Sequence, residues 1–299
     1  MNMNGIIIVD KEPGFTSMDV VACLRGVLKQ KKMGHTGTLD PDATGVLPVC
    51  LGNATKLCDM LTDKKKVYEA EFLLGVQTDT QDTSGEVLKK APVTCTPEEI
   101  RNAATGFLGE QDQIPPMYSA VKIDGVRLYD MARKGMEVER KPRRVTFYDI
   151  EVLKIDLPYV SIRVACSKGT YIRTLCNDIG EKLGCHASMS RLRRVGSGEF
   201  DISEAHTIDE IRSFMDSGRI GEILIPTDRA FPDAIRVRVK SEFKKLIENG
   251  NAFLPSDTVE HIEPAADTRA RVYDEEGHFY GLYRFDGTMY RVVKMFLEQ

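Results

Sequence analysis

The chain has 299 residues, of which 42% are hydrophobic and 29% charged, with a formal net charge of −4, as in an ordinary globular protein. No apolar run approaches the length of a membrane span and no leader pattern opens the chain, so we expect a cytoplasmic protein. The seven cysteines contain no CxxC pair, which argues against a zinc site or a disulfide framework.

The first elements in chain order are a strand and a helix. The apolar run at 6–9 predicts a short buried strand. Thr16, followed by Asp19 three residues later, predicts a helix start, because apolar residues at helical spacing come next. Gly34 is a typical residue after a helix end, so we expect this helix to stop there.

The loop at 34–45 has the sequence GHTGTLDPDATG, which combines glycines and hydroxyl side chains with His35 and two carboxylates. Asp40 precedes a proline, which favours an extended backbone, and glycines let a main chain approach a ligand closely. On composition alone, a functional carboxylate and an ordinary turn are equally compatible with this pattern. A calcium loop is excluded because its twelfth position is Leu51 rather than Glu. A P-loop is excluded because apolar residues follow the last glycine.

Strands and helices then follow one another without a βαβ repeat. Alternating apolar residues predict a strand at 67–74, with Tyr68 on its apolar side. Further strands are predicted at 145–155 and 159–166, and helices at 97–106 and 170–183. Arg173 lies off the apolar face of the last helix. This mixture predicts an α+β domain with a largely antiparallel sheet.

Positive charge is concentrated in the middle of the chain. Residues 121–200 carry 16 Lys and Arg against 10 Asp and Glu, a net of +6 within a chain of net −4. Basic clusters at 29–32, 64–66, 140–144 and 191–194 are compatible with binding to a polyanion and with simple solvated faces. Residues 121–144 are so rich in charge and glycine that we expect a protruding insertion.

A domain boundary is predicted near Phe231-Pro232, which divides the chain into 1–231 and 232–299. The second part is predicted to contain a helix at 241–248 and strands around 269–274, 278–285 and 288–296. It is acidic overall, yet five of its cations could line one strand face and meet phosphates: Arg269, Arg271, Arg284, Arg291 and Lys294.

Several short motifs follow one another along the chain. They are DK at 10–11, the loop at 34–45, KVYE at 66–69, GVQTDT at 75–80, QIPPMYSA at 113–120, CSKGTYIRT at 166–174 and RLRR at 191–194. In order and spacing they resemble the motifs of the TruB family of pseudouridine synthases. The resemblance implies a pseudouridine synthase fold, with a bent mixed sheet flanked by helices and the active site in its central cleft. A weaker similarity at 271–281 implies a small PUA-type RNA-binding domain at 232–299.

The implied reaction converts uridine to pseudouridine in the T-loop of tRNA, at the position conventionally numbered 55. The base leaves C1′, turns, and rejoins through C5, so nothing is oxidised and no group is gained or lost. Such a reaction needs no cofactor, and the sequence has no dinucleotide fingerprint, P-loop or metal-spaced His/Cys set. The implied partner is the T-arm of tRNA, with no membrane and no guide RNA, and we expect a monomer.

The resemblance makes Asp40 the catalytic carboxylate, which could attack the ribose carbon, attack the base ring or stabilise a glycal-like intermediate. Burial beneath a base disfavours a charged carboxylate, so a nearby cation is needed, and Arg173 is the candidate. Four further residues are implied to act on the nucleotide: Tyr68 against the base as a stacking residue or general base, Tyr171 beside it, Leu192 closing the pocket, and His35 filling the gap left by the flipped base.

Two other functions stay open at this point. A non-catalytic protein that binds or folds tRNA in the same cleft explains the basic patches. It does not explain an intact Asp-Pro loop accompanied by Tyr68 and Arg173. A guide-dependent enzyme of the dyskerin branch is disfavoured, because the chain has the 121–144 insertion of the stand-alone type and lacks a long lysine-rich tail.

Overall fold

The structure is a computed structural model that describes residues 3–119, 121–123, 125–136 and 138–297. Within these ranges the strands form a nine-stranded sheet, a four-stranded sheet and two small two-stranded sheets. None of the helices in these ranges has the length and apolar composition needed to cross a membrane.

The helices and strands have the following bounds. The strands are β1 Gly5–Lys11, β2 Met33–His35, β3 Thr44–Leu51, β4 Lys66–Leu74, β5 Val76–Thr78, β6 Val87–Lys90, β7 Gly109–Gln113, β8 Lys122–Ile123, β9 Val126–Arg127, β10 Arg143–Asp156, β11 Tyr159–Cys166, β12 Ala187–Ser197, β13 Phe200–Asp201, β14 Ile235–Arg238, β15 Arg269–Tyr273, β16 Phe279–Phe285 and β17 Tyr290–Met295. The helices are α1 Ser17–Leu28, α2 Cys58–Thr62, α3 Pro97–Thr105, α4 Leu128–Ala132, α5 Ile172–Lys182, α6 Ile208–Asp216 and α7 Lys244–Glu248.

The large sheet has the strand order β1-β3-β12-β4-β11-β10-β7, with β2 on β3 and β13 on β12. Every pair in it is antiparallel except β3 with β12, so the predicted largely antiparallel sheet is confirmed. Helices α3 and α5 contribute to the core on one side of β4, β10, β11 and β12. The central strand β12 therefore joins the strand after the Asp40 loop to the strand that carries Tyr68.

Helix α1 begins as predicted and ends earlier than predicted. Thr16 and Asp19 form a reciprocal capping box at its start. The helix ends at Leu28, because Lys29 adopts a left-handed conformation with φ +50°. Gly34 lies in β2, where a Cβ would come within 3.2 Å of the Cys58 Sγ, so its small size serves strand packing and the predicted stop at Gly34 is wrong.

The four-stranded sheet has the order β14-β15-β16-β17 and lies in the C-terminal part of the chain. Leu282 of β16 and Phe296, which follows β17, are buried in one cluster with Phe200 and Phe231 of the preceding part. The two parts of the chain thus share an apolar interface, across which aromatic rings meet.

The predicted insertion at 121–144 contains β8, β9 and α4 and leads into β10. Its residues Asp124 and Glu137 lie outside the described residues, as does Ala120 of the preceding motif. At its base, Arg140 donates a hydrogen bond of 3.2 Å to the Pro115 carbonyl oxygen. Tyr118 donates one of 3.2 Å to Asp79, which connects the segment before the insertion to the body of the protein.

Candidate active site

The loop between β2 and β3 carries Asp40, and the Lys11 side chain holds its backbone. The buried Lys11 ammonium donates to the carbonyl oxygens of Pro41 at 2.8 Å and Ala43 at 2.7 Å. Burial lowers the pKa of Lys11, and the neighbouring carboxylates of Asp42 and Asp40 act in the opposite direction. These bonds fix the backbone on the C-terminal side of Asp40 and do not involve its carboxylate.

Arg194, in β12, holds the two ends of the same loop. Its buried guanidinium donates to the Val46 carbonyl oxygen at 2.7 Å and to the Gly37 carbonyl oxygen at 3.3 Å. Gly45, with φ +99°, lies so close to β12 that a Cβ there would meet the Arg194 carbonyl oxygen at 2.1 Å. Glycine is required at this position because the loop must lie flat against the central strand.

An ion pair joins Asp40 to Arg173. The Arg173 Nη2 donates to the Asp40 Oδ2 at 2.6 Å, although the two residues are 133 positions apart. The Arg173 side chain is 8% exposed, whereas that of Asp40 is 51% exposed. The cation is therefore fixed inside the protein, and the carboxylate stands at the surface of the cleft where a ligand can reach it.

A second carboxylate, which the sequence analysis did not identify, contacts the same guanidinium. The Asp82 Oδ2 lies 3.4 Å from the Arg173 Nη1. The other Asp82 oxygen accepts from the Thr80 hydroxyl at 2.7 Å and the Ser84 amide at 3.1 Å. Arg173 thus bridges an exposed and a sheltered carboxylate. The only signal in the sequence was that Asp82 follows the GVQTDT motif by two residues.

The residue before Asp82 has an unusual backbone. Gln81 adopts a left-handed conformation with φ +64°, and its side-chain oxygen accepts a hydrogen bond of 2.8 Å from the Thr174 hydroxyl. Non-glycine residues rarely adopt this conformation, and they do so mostly where the surroundings hold them. Thr174 follows Arg173 on α5, so one helix turn holds both the cation and the loop that presents Asp82.

The cleft around Asp40 encloses about 100 Å³. It is lined by Thr38, Leu39, Asp40, Tyr68, Thr170, Tyr171, Ile172, Arg173, Met189 and Leu192. Five of the six predicted site residues therefore meet in one place. The sixth, His35, lies at the end of β2 outside this lining, where its Nδ1 accepts a hydrogen bond of 3.3 Å from the Gly37 amide.

Burial changes the titration of two residues near the cleft. It raises the pKa of Tyr68, and the negative charge of Asp40 adds to that effect, so the phenol is protonated at neutral pH. Burial also lowers the pKa of His35, and the charge of Arg194 lowers it further, which favours a neutral imidazole. Near neutral pH the two rings are therefore uncharged surfaces that can pack against a base.

A group of potential metal ligands lies in the turn between β15 and β16, far from this cleft in the sequence. Asp274, Glu276 and His278 bring one ligand atom each within 4.8 Å of one another. The Lys244 ammonium already contacts Asp274 at 2.9 Å and Glu276 at 3.6 Å. A side chain of the protein thus already offsets part of the negative charge of this cluster.

Two family models match consecutive parts of the chain. The model for the N-terminal domain of the TruB family pseudouridylate synthases matches residues 25–172. The model for the C-terminal domain of tRNA pseudouridylate synthase B matches residues 173–232.

Relatives and solved structures match almost the whole chain. The tRNA pseudouridine synthase B of Alkaliphilus oremlandii is 45% identical over 294 residues, 98% of this chain and 97% of the relative. That of Lachnoclostridium phytofermentans is 48% identical over 307 residues, 99% and 100% of the two chains. A chain of an H/ACA RNP bound to a substrate RNA containing 2′-deoxyuridine superposes with a TM-score of 0.74 at 25% identity, over 98% of this chain and 85% of that one. A chain of a Cbf5-Nop10-Gar1 complex gives 0.73 at 27% identity, with the same coverage.

Proposed function

The chain belongs to the TruB family of pseudouridine synthases, and we propose that it isomerises one uridine in the T-loop of tRNA, at position 55, with Asp40 as the nucleophile. Family membership and the pseudouridine synthase fold, both expected from the motifs, are confirmed. Its activity is the isomerisation of uridine in tRNA, as in its relatives. The T-loop position and the roles of individual residues are the new part of the proposal.

The observation that carries the residue assignment is the Asp40–Arg173 ion pair in the cleft. In the reaction the C1′–N1 bond breaks and a C1′–C5 bond forms, while C5 loses a proton and N1 gains one. A carboxylate can attack carbon or stabilise positive charge as the glycosidic bond loosens. Asp40 is half exposed at the cleft, so it can reach a ribose or a base, and the buried Arg173 compensates its charge when a nucleotide covers it.

The shape of the cleft supports recognition of a flipped base. Its volume of about 100 Å³ suits a single base rather than a paired one, and two aromatic side chains, Tyr68 and Tyr171, lie beside Asp40. Leu192 contributes an apolar wall from β12. His35 lies at the end of β2, just before the Asp40 loop and outside the cleft lining. We propose that its neutral ring occupies the space that the base leaves in the RNA.

Basic residues surround the end of the sheet at which the cleft opens. The pairing of Lys66 with Cys166, and of Cys166 with Phe147, places the start of β4, the end of β11 and the start of β10 together. The exposed cations Lys65, Lys168, Arg143 and Arg144 belong to these segments. We propose that they bind phosphates of the T-arm, because folded RNA loops are recognised by shape and by unstacked bases.

The C-terminal sheet provides a second row of cations. Cross-strand pairing aligns Arg269 with Arg284 and Arg284 with Arg291 on β15, β16 and β17. Each of them lies within 3.8 Å of an aspartate: Asp233, Asp267 and Asp286. We propose that phosphates compete with these exposed aspartates, which makes the row a weak and salt-sensitive contact to RNA.

The proposal is tested with an isolated T-arm stem-loop that carries tritium at C5 of its uridines. The parent protein alone, without guide RNA, should release tritium from one uridine, and chemical mapping should place the product at position 55. Asp40→Asn should abolish release and leave RNA affinity within about tenfold, or about 1.4 kcal/mol, because only the charge of the attacking group is lost. A T-arm without product at position 55, or an active Asp40→Asn, would overturn the proposal.

A further inference from the structure

Gln113 is a buried amide that makes two hydrogen bonds to one residue of the cleft. Gln113 is the last residue of β7 and is only 5% exposed. The Gln113 Nε2 donates to the Tyr171 carbonyl oxygen at 3.0 Å, and the Gln113 Oε1 accepts from the Tyr171 amide at 2.8 Å. The nitrogen and the oxygen of the Gln113 side-chain amide therefore both bind the backbone of Tyr171.

Tyr171 is the residue from which α5 starts. It is the N-cap of that helix, and its side chain makes no capping hydrogen bond. Its carbonyl oxygen also accepts the first helical bond, from the Leu175 amide at 3.2 Å. The Gln113 amide thus fixes the entry to the helix from outside, and Arg173 follows two residues later. A change in the path of this turn would move the guanidinium relative to Asp40.

Strand pairing alone does not require the Gln113 side chain. The backbone of Gln113 is paired with Arg143 of β10, and four further pairs hold β7 against the same strand. The segment between these two paired residues, 114–142, contains most of the insertion. Gln113 therefore lies where the insertion joins the sheet, with its side chain directed to the helix that carries the cleft cation.

We propose that Gln113 is a positioning residue for the reaction: it holds the Tyr171 backbone so that Arg173 meets Asp40, and it joins the base of the insertion to the cleft. This inference rests on the proposed function. Misplacement of a reacting group by about 1 Å can cost about 100-fold in rate, so a loss of this amide should appear in the chemical step. RNA affinity should change little, because the amide is buried behind the cleft.

The test compares Gln113→Met with Gln30→Met. Gln30 is a matched control, because it is also 5% exposed and its amide makes the same two bonds to a backbone, with the Met3 amide at 2.7 Å and the Met3 carbonyl oxygen at 2.9 Å. Methionine keeps the length of the side chain and removes both hydrogen bonds. The measurements are the single-turnover rate at saturating enzyme, the Kd for the T-arm and the Tm.

We expect Gln113→Met to lower the single-turnover rate by about 30- to 100-fold, with a Kd within about threefold of the parent. Gln30→Met should lower the Tm by a similar amount and keep the parent rate. If Gln113→Met does not fold, Gln113→Glu replaces it, since this variant keeps the oxygen that accepts from the Tyr171 amide and loses the donor. A parent-like rate in the folded Gln113 variant, or an equal rate loss in Gln30→Met, overturns the inference. An inactive parent would instead refute the proposed function.

Discussion

Arg173→Lys tests whether the cleft needs a cation or needs the bridge that a guanidinium makes. Two different nitrogens of Arg173 contact the two carboxylates, Asp40 at 2.6 Å and Asp82 at 3.4 Å. A lysine keeps the charge but presents one ammonium on a flexible chain, so it cannot hold both carboxylates in a fixed plane. We expect the variant to bind RNA normally and to react slowly.

The expected size follows from the contact that is lost. A hydrogen bond between charged groups contributes about 1.5–3 kcal/mol, which corresponds to a rate loss of about 10- to 150-fold if it operates in the transition state. The effect on stability should be smaller, below about 1 kcal/mol for the Asp40 contact, because the Asp40 side chain is 51% exposed and water screens the pair. Single-turnover tritium release and filter binding of the T-arm measure the two effects separately.

A matched control is available on the opposite face of the sheet. Arg163 also bridges two carboxylates, Glu69 at 2.6 Å and Glu151 at 3.9 Å. It pairs with Glu69 next to the pair of Val164 with Tyr68, so its side chain points away from the cleft side of β4. Arg163→Lys should keep the parent rate. A rate within threefold of the parent for Arg173→Lys would refute the bridging role.

Three further predictions concern Tyr68, Lys66 and the C-terminal part. Tyr68→Phe should lower the single-turnover rate severely with little change in Kd, because a protonated phenol can donate a hydrogen bond that phenylalanine cannot; a near-parent rate would leave stacking as its role. Burial lowers the pKa of Lys66 to about 8 from 10.5, so its charged form costs stability below pH 8 and this cost disappears as the pH rises. Between pH 8 and 10.5 the unfolding free energy of the parent should therefore rise relative to that of Lys66→Met by up to about 1.4 kcal/mol per pH unit. An unfolding free energy with the same pH dependence in both proteins would contradict this. Deletion of 232–299 should lower the Tm and cause aggregation, because it uncovers the cluster around Phe231; a soluble truncation with the parent Tm would show that this interface is unimportant.

Local patterns predicted the elements whose side chains follow a simple period. The alternation in β4 correctly placed Ala70, Phe72 and Leu74 in the core, and the capping signal at Thr16 correctly started α1. Helix α5 also lies within its predicted range, because its apolar residues recur at helical spacing. The end of α1 was missed because Lys29 takes a left-handed conformation that side chains rarely adopt.

Strand β12 was not predicted, although it lies in the centre of the large sheet. Its sequence carries serines and arginines at positions where a central strand normally has apolar residues. Arg194 is buried there because its guanidinium donates to loop carbonyl oxygens, and irregular pairing with β4 interrupts the simple alternation. Arg194, one of the polar residues that hide this strand from pattern analysis, is thus also a residue that holds the Asp40 loop.

The same reasoning separates the residue roles that the motifs indicated from the contacts that only the structure found. Asp40 and Arg173 stand in distinctive motifs, so a resemblance could name both, although 133 positions separate them. Asp82 and Gln113 act through Arg173 and the Tyr171 backbone, from positions 91 and 58 residues away from these partners. Gln113 opens the QIPPMYSA motif and Asp82 follows GVQTDT by two residues, yet neither motif shows these contacts, because a hydrogen bond to a distant guanidinium or backbone imposes no spacing on the sequence around it. The motifs therefore indicate the groups that we propose to act on the substrate, whereas the contacts that hold these groups emerge only when the fold brings the end of β7 and the segment around Asp82 to the start of α5.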